Sequence, residues 1–230
     1  MKYEAVIFDL FGTLVDKFSL HDHTGMLSQM ASVLSIPADD FVKLWFDTFD
    51  MRGLGEFKSL EENIDYICRQ LGVPPENDRV RLVAKMNIDY TARSMIARPQ
   101  AIEVLSRLKS QGYRTGLITN CSAEIPKIWP STSFAPLIDV TTFSASAGVQ
   151  KPDPRIYQLA AEQLEVKPEK CLYIGDGDSQ ELTGAATVGM NPVLIRAPDE
   201  DKTDVHRVNY EANEWVGMTI NSLEEILTLL

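Results

Sequence analysis

Four places in the chain put a chemically capable side chain at or after the end of a short apolar run. Asp9 follows residues 3–8 and opens Asp9-Leu10-Phe11-Gly12-Thr13-Leu14. Thr119 and Asn120 end the run that begins at Arg114. Lys151 stands in Gln150-Lys151-Pro152-Asp153-Pro154, and Asp176 in Ile174-Gly175-Asp176-Gly177-Asp178. Each has an ordinary reading by itself: Asp after a strand is usually a turn or helix cap, Thr-Asn a turn, Lys-Pro a helix lead-in, Asp-Gly-Asp a loop. Brought together they supply two carboxylates, a hydroxyl with an amide, and an ammonium. Two carboxylates held close repel unless a proton or a cation lies between them. Magnesium suits one or two carboxylates completed by water and phosphate oxygens. A carboxylate is also an established nucleophile in phosphoryl transfer.

The elements around these residues have to bring them to one place. Residues 3–8, 114–119 and 171–175 are rich in β-branched or aromatic residues and end in turn signals, which predicts strands. Residues 192–196 and 138–143 predict two more. Helical patterns alternate with them: 101–110, with Val104, Leu105 and Leu108 on one face and Gly112 ending it, and 154–164, opened by Pro154. Residues 223–230 predict a short apolar closing helix. The alternation implies a parallel sheet covered on both faces, an α/β doubly wound fold of Rossmann type. In such a sheet, ligands bind beyond the carboxyl ends of the strands, where all four sites fall. From residue 17 to 93 the alternation stops. Stretches 26–34, 40–49, 60–71 and 79–90 are helical in pattern, which predicts a helical cap inserted after the first strand. The expected division is residues 1–16 and 94–230 for the α/β core and 17–93 for the cap.

Composition limits the function. The chain has 230 residues, 44% hydrophobic and 24% charged, an ordinary globular mix. A net charge of -11 argues against nucleic acid, which needs clustered Lys and Arg. A small anionic substrate stays compatible, because one cation or one buried Lys can dominate a local field. Cys68, Cys121 and Cys171 give neither a disulfide framework nor zinc-ligand spacing, which suits a reducing cytoplasm. No apolar run is long enough to span a bilayer, so no membrane is expected. Nothing in the sequence fixes the oligomeric state.

The order of these motifs resembles the haloacid dehalogenase superfamily of aspartate-nucleophile hydrolases. Asp9 with Gly12-Thr13-Leu14 is similar to its first motif, Thr119-Asn120 to its second, Lys151-Pro152 to its third, and Gly175-Asp176 with Glu181 and Gly184-Ala185 to its fourth. The first and fourth are specific; the middle two gain weight from their order. The resemblance implies that Asp9 forms an aspartyl intermediate. It implies a magnesium ion held by Asp9, the backbone carbonyl of Phe11 and Asp176. Thr119, with the Asn120 backbone, would bind the transferring group, and Lys151 would neutralise charge on Asp9 and the phosphoryl oxygens. Glu181, where many relatives carry Asp, would hold a metal-bound water.

One position departs from the phosphatase pattern. Family phosphatases usually carry a second Asp, the general acid and base, two residues after the nucleophile. Here it is Phe11, which moves no proton, and such a group is typically worth about 10²–10⁴-fold. His21, His23 and Lys58 are conceivable substitutes, though a surface role is the plainer expectation for each. An aromatic residue here is also usual among the family's haloacid dehalogenases, which opens carbon–halogen cleavage as an alternative. Those enzymes generally lack both magnesium and the Gly-Asp of the fourth motif, so Gly175-Asp176 favours a metal-dependent phosphatase acting on a small phosphorylated metabolite. A relative that binds without turnover is the third reading. Arg52 and Lys58 flank Gly53, Gly55 and Phe57 and are expected first as solvated charges, or else lowered over the crevice toward an anion. Asp16 is expected to be a hinge or cap residue without chemistry.

Overall fold

Branched and aromatic side chains dominate the runs that become strands, and burial on both faces selects them. The structure, a computed structural model, describes residues 2–196 and 210–230. All four residues of β1 (Ala5–Phe8) are buried, as a strand sandwiched between helices requires. With β2 (Arg114–Thr119), β3 (Val140–Phe143), β4 (Cys171–Gly175), β5 (Asn191–Ile195) and β6 (Met218–Ile220) it forms a parallel sheet of order β3-β2-β1-β4-β5-β6. The chain crosses from β3 at one edge to β4 beside β1, so the topological switch, where ligands bind in such sheets, lies between β1 and β4. Phe8 sits beside Leu117 of β2 and Ile174 of β4. Asp9, Thr119 and Asp176 therefore emerge together at the same edge.

Side chains alternate across the sheet with the period of two that strands impose. Val6, Phe8, Leu117, Leu172 and Ile174 pack on Val104, Leu105 and Leu108 of the helix Ala101–Ser110 and on Leu223 and Ile226. Ala5, Ile7, Ile118 and Tyr173 face the opposite side, where Ile156, Tyr157, Ala160 and Leu164 of the helix Pro154–Leu164 cover them. Each fully buried Ile, Leu or Phe contributes roughly 1.5–3 kcal/mol relative to exposure, which anchors the strand ends that hold the site.

A third core lies outside the sheet. Helices α1 (Leu20–Leu34), α2 (Ala38–Asp47), α3 (Phe49–Gly53), α4 (Leu60–Gln70) and α5 (Asn77–Ser94) follow β1. Leu27, Met30, Phe41, Ile64, Ile67 and Val83 pack together among them. The chain leaves the sheet layer through Val15 and returns through Ala97, which pairs with Val15. Arg98 closes this neck: its Nε donates to Asp16 Oδ1 at 2.8 Å and its Nη1 to the Gly12 carbonyl at 2.6 Å. Asp16 thus clasps the two crossings.

Several boundaries differ from expectation for local reasons. β1 starts at Ala5 rather than residue 3, although Glu4 still exchanges backbone bonds with Lys170 and Arg114. α1 starts at Leu20, ahead of residue 26, because the Ser19 side chain caps it by accepting from the Asp22 N–H at 3.0 Å. The helix expected over 40–49 divides at Thr48 into α2 and α3. β6 was not expected; its Met218 and Thr219 are exposed, leaving no apolar signal. The closing helix is a 3₁₀ segment, Leu223–Thr228, started by a Ser222–Glu225 capping box. Residues 197–209, within the expected core range, lie outside the described residues. Cys68, Cys121 and Cys171 are buried and free. No helix among the described residues is long and apolar enough to cross a membrane.

Candidate active site

Asp9 is the first residue past β1, and its N–H donates to the Ile174 carbonyl at 2.9 Å, which fixes it against β4. The loop then turns back on itself, with the N–H groups of Leu14 and Val15 both donating to the Leu10 carbonyl. Gly12 makes this turn at φ +89°, a conformation that side chains disfavour. A Cβ there would stand 2.3 Å from Asp176 Oδ2. Glycine is needed at this position for backbone shape and for room alike.

Lys151 reaches the same point from the segment after β3. Asn120, just past β2, grips its backbone: Asn120 Oδ1 accepts from the Lys151 N–H at 2.9 Å, and Asn120 Nδ2 donates to the Lys151 carbonyl at 3.2 Å. The Lys151 ammonium then donates to Asp9 Oδ1 at 2.6 Å and to Glu181 Oε2 at 2.5 Å. Glu181 is saturated by its neighbours. Tyr173 Oη donates to Oε2 at 2.7 Å and the Gly177 N–H to Oε1 at 2.9 Å. Gly175 makes space for it, since a Cβ there would meet Glu181 Oε1 at 2.2 Å. Asp176 accepts from the Asp178 N–H at 3.0 Å and pairs with the Lys17 ammonium at 2.6 Å. Thr119 is buried beside them.

The electrostatics follow from burial. Desolvation, with Asp176 nearby, raises the pKa of Asp9, and Lys151 opposes the rise. Burial works against the Lys151 ammonium too, but Asp9 and Glu181 outweigh it and hold its pKa well above the ordinary lysine value. Burial and then Asp9 push Glu181 far up. The cluster holds a charged lysine amid carboxylates competing for too little positive charge. That is the setting in which a further cation is favoured. Ligand oxygens of Asp9, Asp176 and Glu181 lie within 4.8 Å of one another. An all-oxygen donor set of this kind fits a hard divalent cation. Asp9 and Asp176 are the carboxylates best placed to hold one, because the partner of Asp176 Oδ2 is the part-exposed and displaceable Lys17, whereas Glu181 is tied to the buried Lys151 and Tyr173.

A cavity of about 280 Å³ opens above this floor. Asp9, Thr119, Asn120 and Lys151 line its base, and Phe18, Trp45, Phe49 and Arg52 line its sides. The Phe11 ring lies on Phe18 at 4.9 Å between centroids, and His23 also lines the cavity, stacked on Tyr90. Lys58 and His21 are not among the lining residues; the Lys58 ammonium donates to the Gly55 carbonyl instead.

Arg52 corrects the expectation of a solvated charge, being only 4% exposed. Its Nη1 donates to the Trp45 carbonyl and to Thr48 Oγ1, and its guanidinium lies 4.5 Å from the Trp45 ring centre. The glycine-rich turn explains the burial. A Cβ on Gly55 would stand 2.1 Å from the Ala145 carbonyl, and one on Gly53 2.5 Å from Gln150 Oε1. Those glycines seat the helical layer on the sheet layer and carry Arg52 inward. Burial lowers Arg52 to about 10, with Glu124 opposing, so it stays charged at neutral pH. Sequence reasoning missed Lys17, Glu124 and Asn87. Glu124 lies only a few residues beyond the β2 end and a wider search after each strand finds it; for Lys17 and Asn87 no spacing signal exists.

Comparison with known proteins agrees with this geometry. The family model of haloacid dehalogenase-like hydrolases matches residues 3–189. The glyceraldehyde 3-phosphate phosphatase of Pyrococcus furiosus is 28% identical, over 100% of this chain and 93% of its own. The (S)-2-haloacid dehalogenase 4A of Burkholderia cepacia is 27% identical, over 92% and 93% of the two chains. Among solved structures, the 2-haloacid dehalogenase of Pseudomonas syringae pv. tomato superposes with a TM-score of 0.69 at 17% identity, covering 99% of this chain and 97% of that one. A phosphatase from Thermococcus onnurineus gives 0.66 at 20% identity, with 98% and 97% covered.

Proposed function

Because the chain belongs to the haloacid dehalogenase-like hydrolases, we propose that it is a magnesium-dependent, cytoplasmic phosphatase of small phosphorylated metabolites that forms an aspartyl-phosphate on Asp9. The observation that carries the reading is the pairing of Asp9 with Asp176 in a buried site, with carboxylate oxygens within 4.8 Å. Relatives named as phosphatases support it. Residues 1–16 and 94–230 form the catalytic core and 17–93 the cap that closes over it.

One carboxylate oxygen of Asp9 attacks phosphorus as the bond to the leaving oxygen breaks, and that oxygen departs with the electron pair. A water then attacks the phosphorus of the aspartyl-phosphate, the Asp9 oxygen–phosphorus bond breaks, and inorganic phosphate leaves. Lys151, held charged between Asp9 and Glu181, offsets negative charge on the transferring oxygens. Asn120 positions Lys151, and Thr119 donates a hydrogen bond to the phosphoryl group. These groups act by position and charge, which suits a loose phosphoryl transition state. Asp9, the Phe11 carbonyl and Asp176 would hold magnesium, which when bound supplies neutralisation of phosphoryl charge. Phe11 gives the leaving oxygen no proton, so leaving groups that depart as stable anions react best. Phosphate release from aryl phosphates should vanish with a chelator and return with excess magnesium.

Phe11 favours a second reading, carbon–halogen cleavage, and a curated relative is a haloacid dehalogenase. Undiminished turnover of a 2-haloacid after chelation, with none of any phosphate ester, would establish that reading in place of the first.

A further inference from the structure

The cavity that holds Asp9 is also lined by a second set of polar residues with atoms left unpaired among the described residues. Arg52 Nε, Glu124 Oε2 and Asn87 Oδ1 are buried and have no hydrogen-bond partner among the described residues. The three residues are 4%, 7% and 3% exposed, and all line the cavity that holds Asp9. They arrive from three separate elements: Arg52 from α3, Asn87 from α5, and Glu124 from the loop after β2. A buried polar atom without a partner loses its hydration for no return, so such atoms are normally paired. A cluster of three on the wall of one cavity indicates partners delivered by what enters it. Arg52 is held for the task. Its Nη1 is spent on Trp45 and Thr48, and Trp45 and Phe49 pack against the guanidinium, leaving Nε as a fixed donor on the cavity that Glu124 and Asn87 also line.

One donor on a cation and two acceptors lining the same cavity, one of them a carboxyl, complement an α-amino acid group. The ligand carboxylate meets the guanidinium, and the ligand ammonium, with three N–H groups, meets Glu124 and Asn87. The same cavity is lined by the aromatic Phe18, Trp45 and Phe49, which suit an apolar or aromatic body. We propose that Arg52, Glu124 and Asn87 form a leaving-group subsite for an amphipathic phosphate monoester with an amino-acid-like tail. The assignment rests on the phosphatase reading and narrows its substrate class.

The test holds the aryl leaving group nearly constant and varies the tail. Phenyl phosphate has no tail, O-phosphotyramine has the ammonium only, phosphorylated 3-(4-hydroxyphenyl)propionate the carboxylate only, and O-phosphotyrosine both. With magnesium present, kcat/KM for O-phosphotyrosine should exceed that for phenyl phosphate about tenfold or more, the scale of charged hydrogen bonds, chiefly through KM. Glu124→Gln keeps the shape and should lower kcat/KM for the two ammonium-bearing esters about tenfold relative to phenyl phosphate measured on the same variant. Arg52→Gln should do the same for the two carboxylate-bearing esters. Equal kcat/KM for all four esters in the wild type overturns the subsite, as does a Glu124→Gln loss shared by all four. Calorimetry on the Asp9→Asn protein, which binds without turning over, separates the two ideas. Tighter binding of O-phosphotyrosine than of phenyl phosphate sustains the subsite even if no ester is hydrolysed. Equal binding overturns it even if phosphatase activity is present.

Discussion

The floor of the cavity and its upper wall are built on opposite plans. On the floor, each carboxylate is tied to an ammonium or a backbone N–H: Asp9 and Glu181 to Lys151, Asp176 to Lys17 and Asp178. The strand ends that carry it are locked by the sheet register. On the wall, Arg52 Nε, Glu124 Oε2 and Asn87 Oδ1 meet no hydrogen-bond partner among the described residues. A network satisfied internally is rigid and ready before substrate arrives, the condition for electrostatic stabilisation of a transition state. Unsatisfied groups gain only when a ligand completes them, the condition for selectivity. The difference separates the machinery for the reaction from the machinery for recognition.

The contrast is sharpest at Lys151. Replacing it by Met leaves Asp9 and Glu181 buried without their shared cation, a change that typically costs about 3–5 kcal/mol. Lys151→Met should therefore lose turnover and show a clear drop in unfolding free energy by denaturant titration. The wall variant Glu124→Gln should cost clearly less stability than Lys151→Met, since Glu124 Oε2 has no hydrogen-bond partner among the described residues to lose and the change removes only the attraction to Arg52. Equal destabilisation by both would erase the distinction.

Phe11 gives the next largest effect. Phe11→Asp supplies a carboxyl beside the nucleophile and should raise turnover of alkyl phosphates more than aryl phosphates, with an upper bound of about 10²–10⁴-fold if the carboxyl reaches the leaving oxygen. The gain will be smaller than this bound, because the change removes the Phe11–Phe18 contact. A folded, magnesium-binding variant with unaltered selectivity shows that proton transfer is not what this position limits.

Lys17 gives the smallest effect. Its ammonium lies on Asp176 at 2.6 Å with a side chain 26% exposed, so an entering divalent cation must displace it. Because Lys17 is part-exposed while the Asp176 side chain is only 2% exposed, its competition is set at about 1 kcal/mol, the upper end for exposed pairs. Lys17→Met should tighten magnesium binding up to about fivefold by calorimetry, whereas Asp176→Asn should weaken it. Weaker binding in Lys17→Met would mean that the lysine assists the metal.

The sheet was readable because its strands are short apolar runs with turn signals, and Arg114–Thr119 and Cys171–Gly175 lie where those signals put them. Asp9, Thr119, Lys151 and Asp176 were readable by one rule, that polar residues after parallel strands meet at one edge. β6 was not, since its pairing with β5 decides its conformation and its residues carry little apolar pattern. The Asn120 backbone was the part expected to meet substrate; the hold of its side chain on the Lys151 backbone was not readable, being a partnership between residues distant in sequence. Arg52 and Glu124 face one cavity only because Gly53 and Gly55 allow the helical layer to seat closely, which no local pattern announces.

The central claim is a phosphoryl group passing through Asp9. The direct measurement is an acid-quenched single turnover of an aryl phosphate with magnesium, followed by peptide mapping by mass spectrometry. The account predicts a phosphoryl increment on the peptide containing Asp9, absent from Asp9→Asn and absent when the metal is chelated. Phosphate release at full rate by Asp9→Asn, or an ester adduct on Asp9 from a 2-haloacid with no phosphoryl adduct from any phosphate ester, would contradict it.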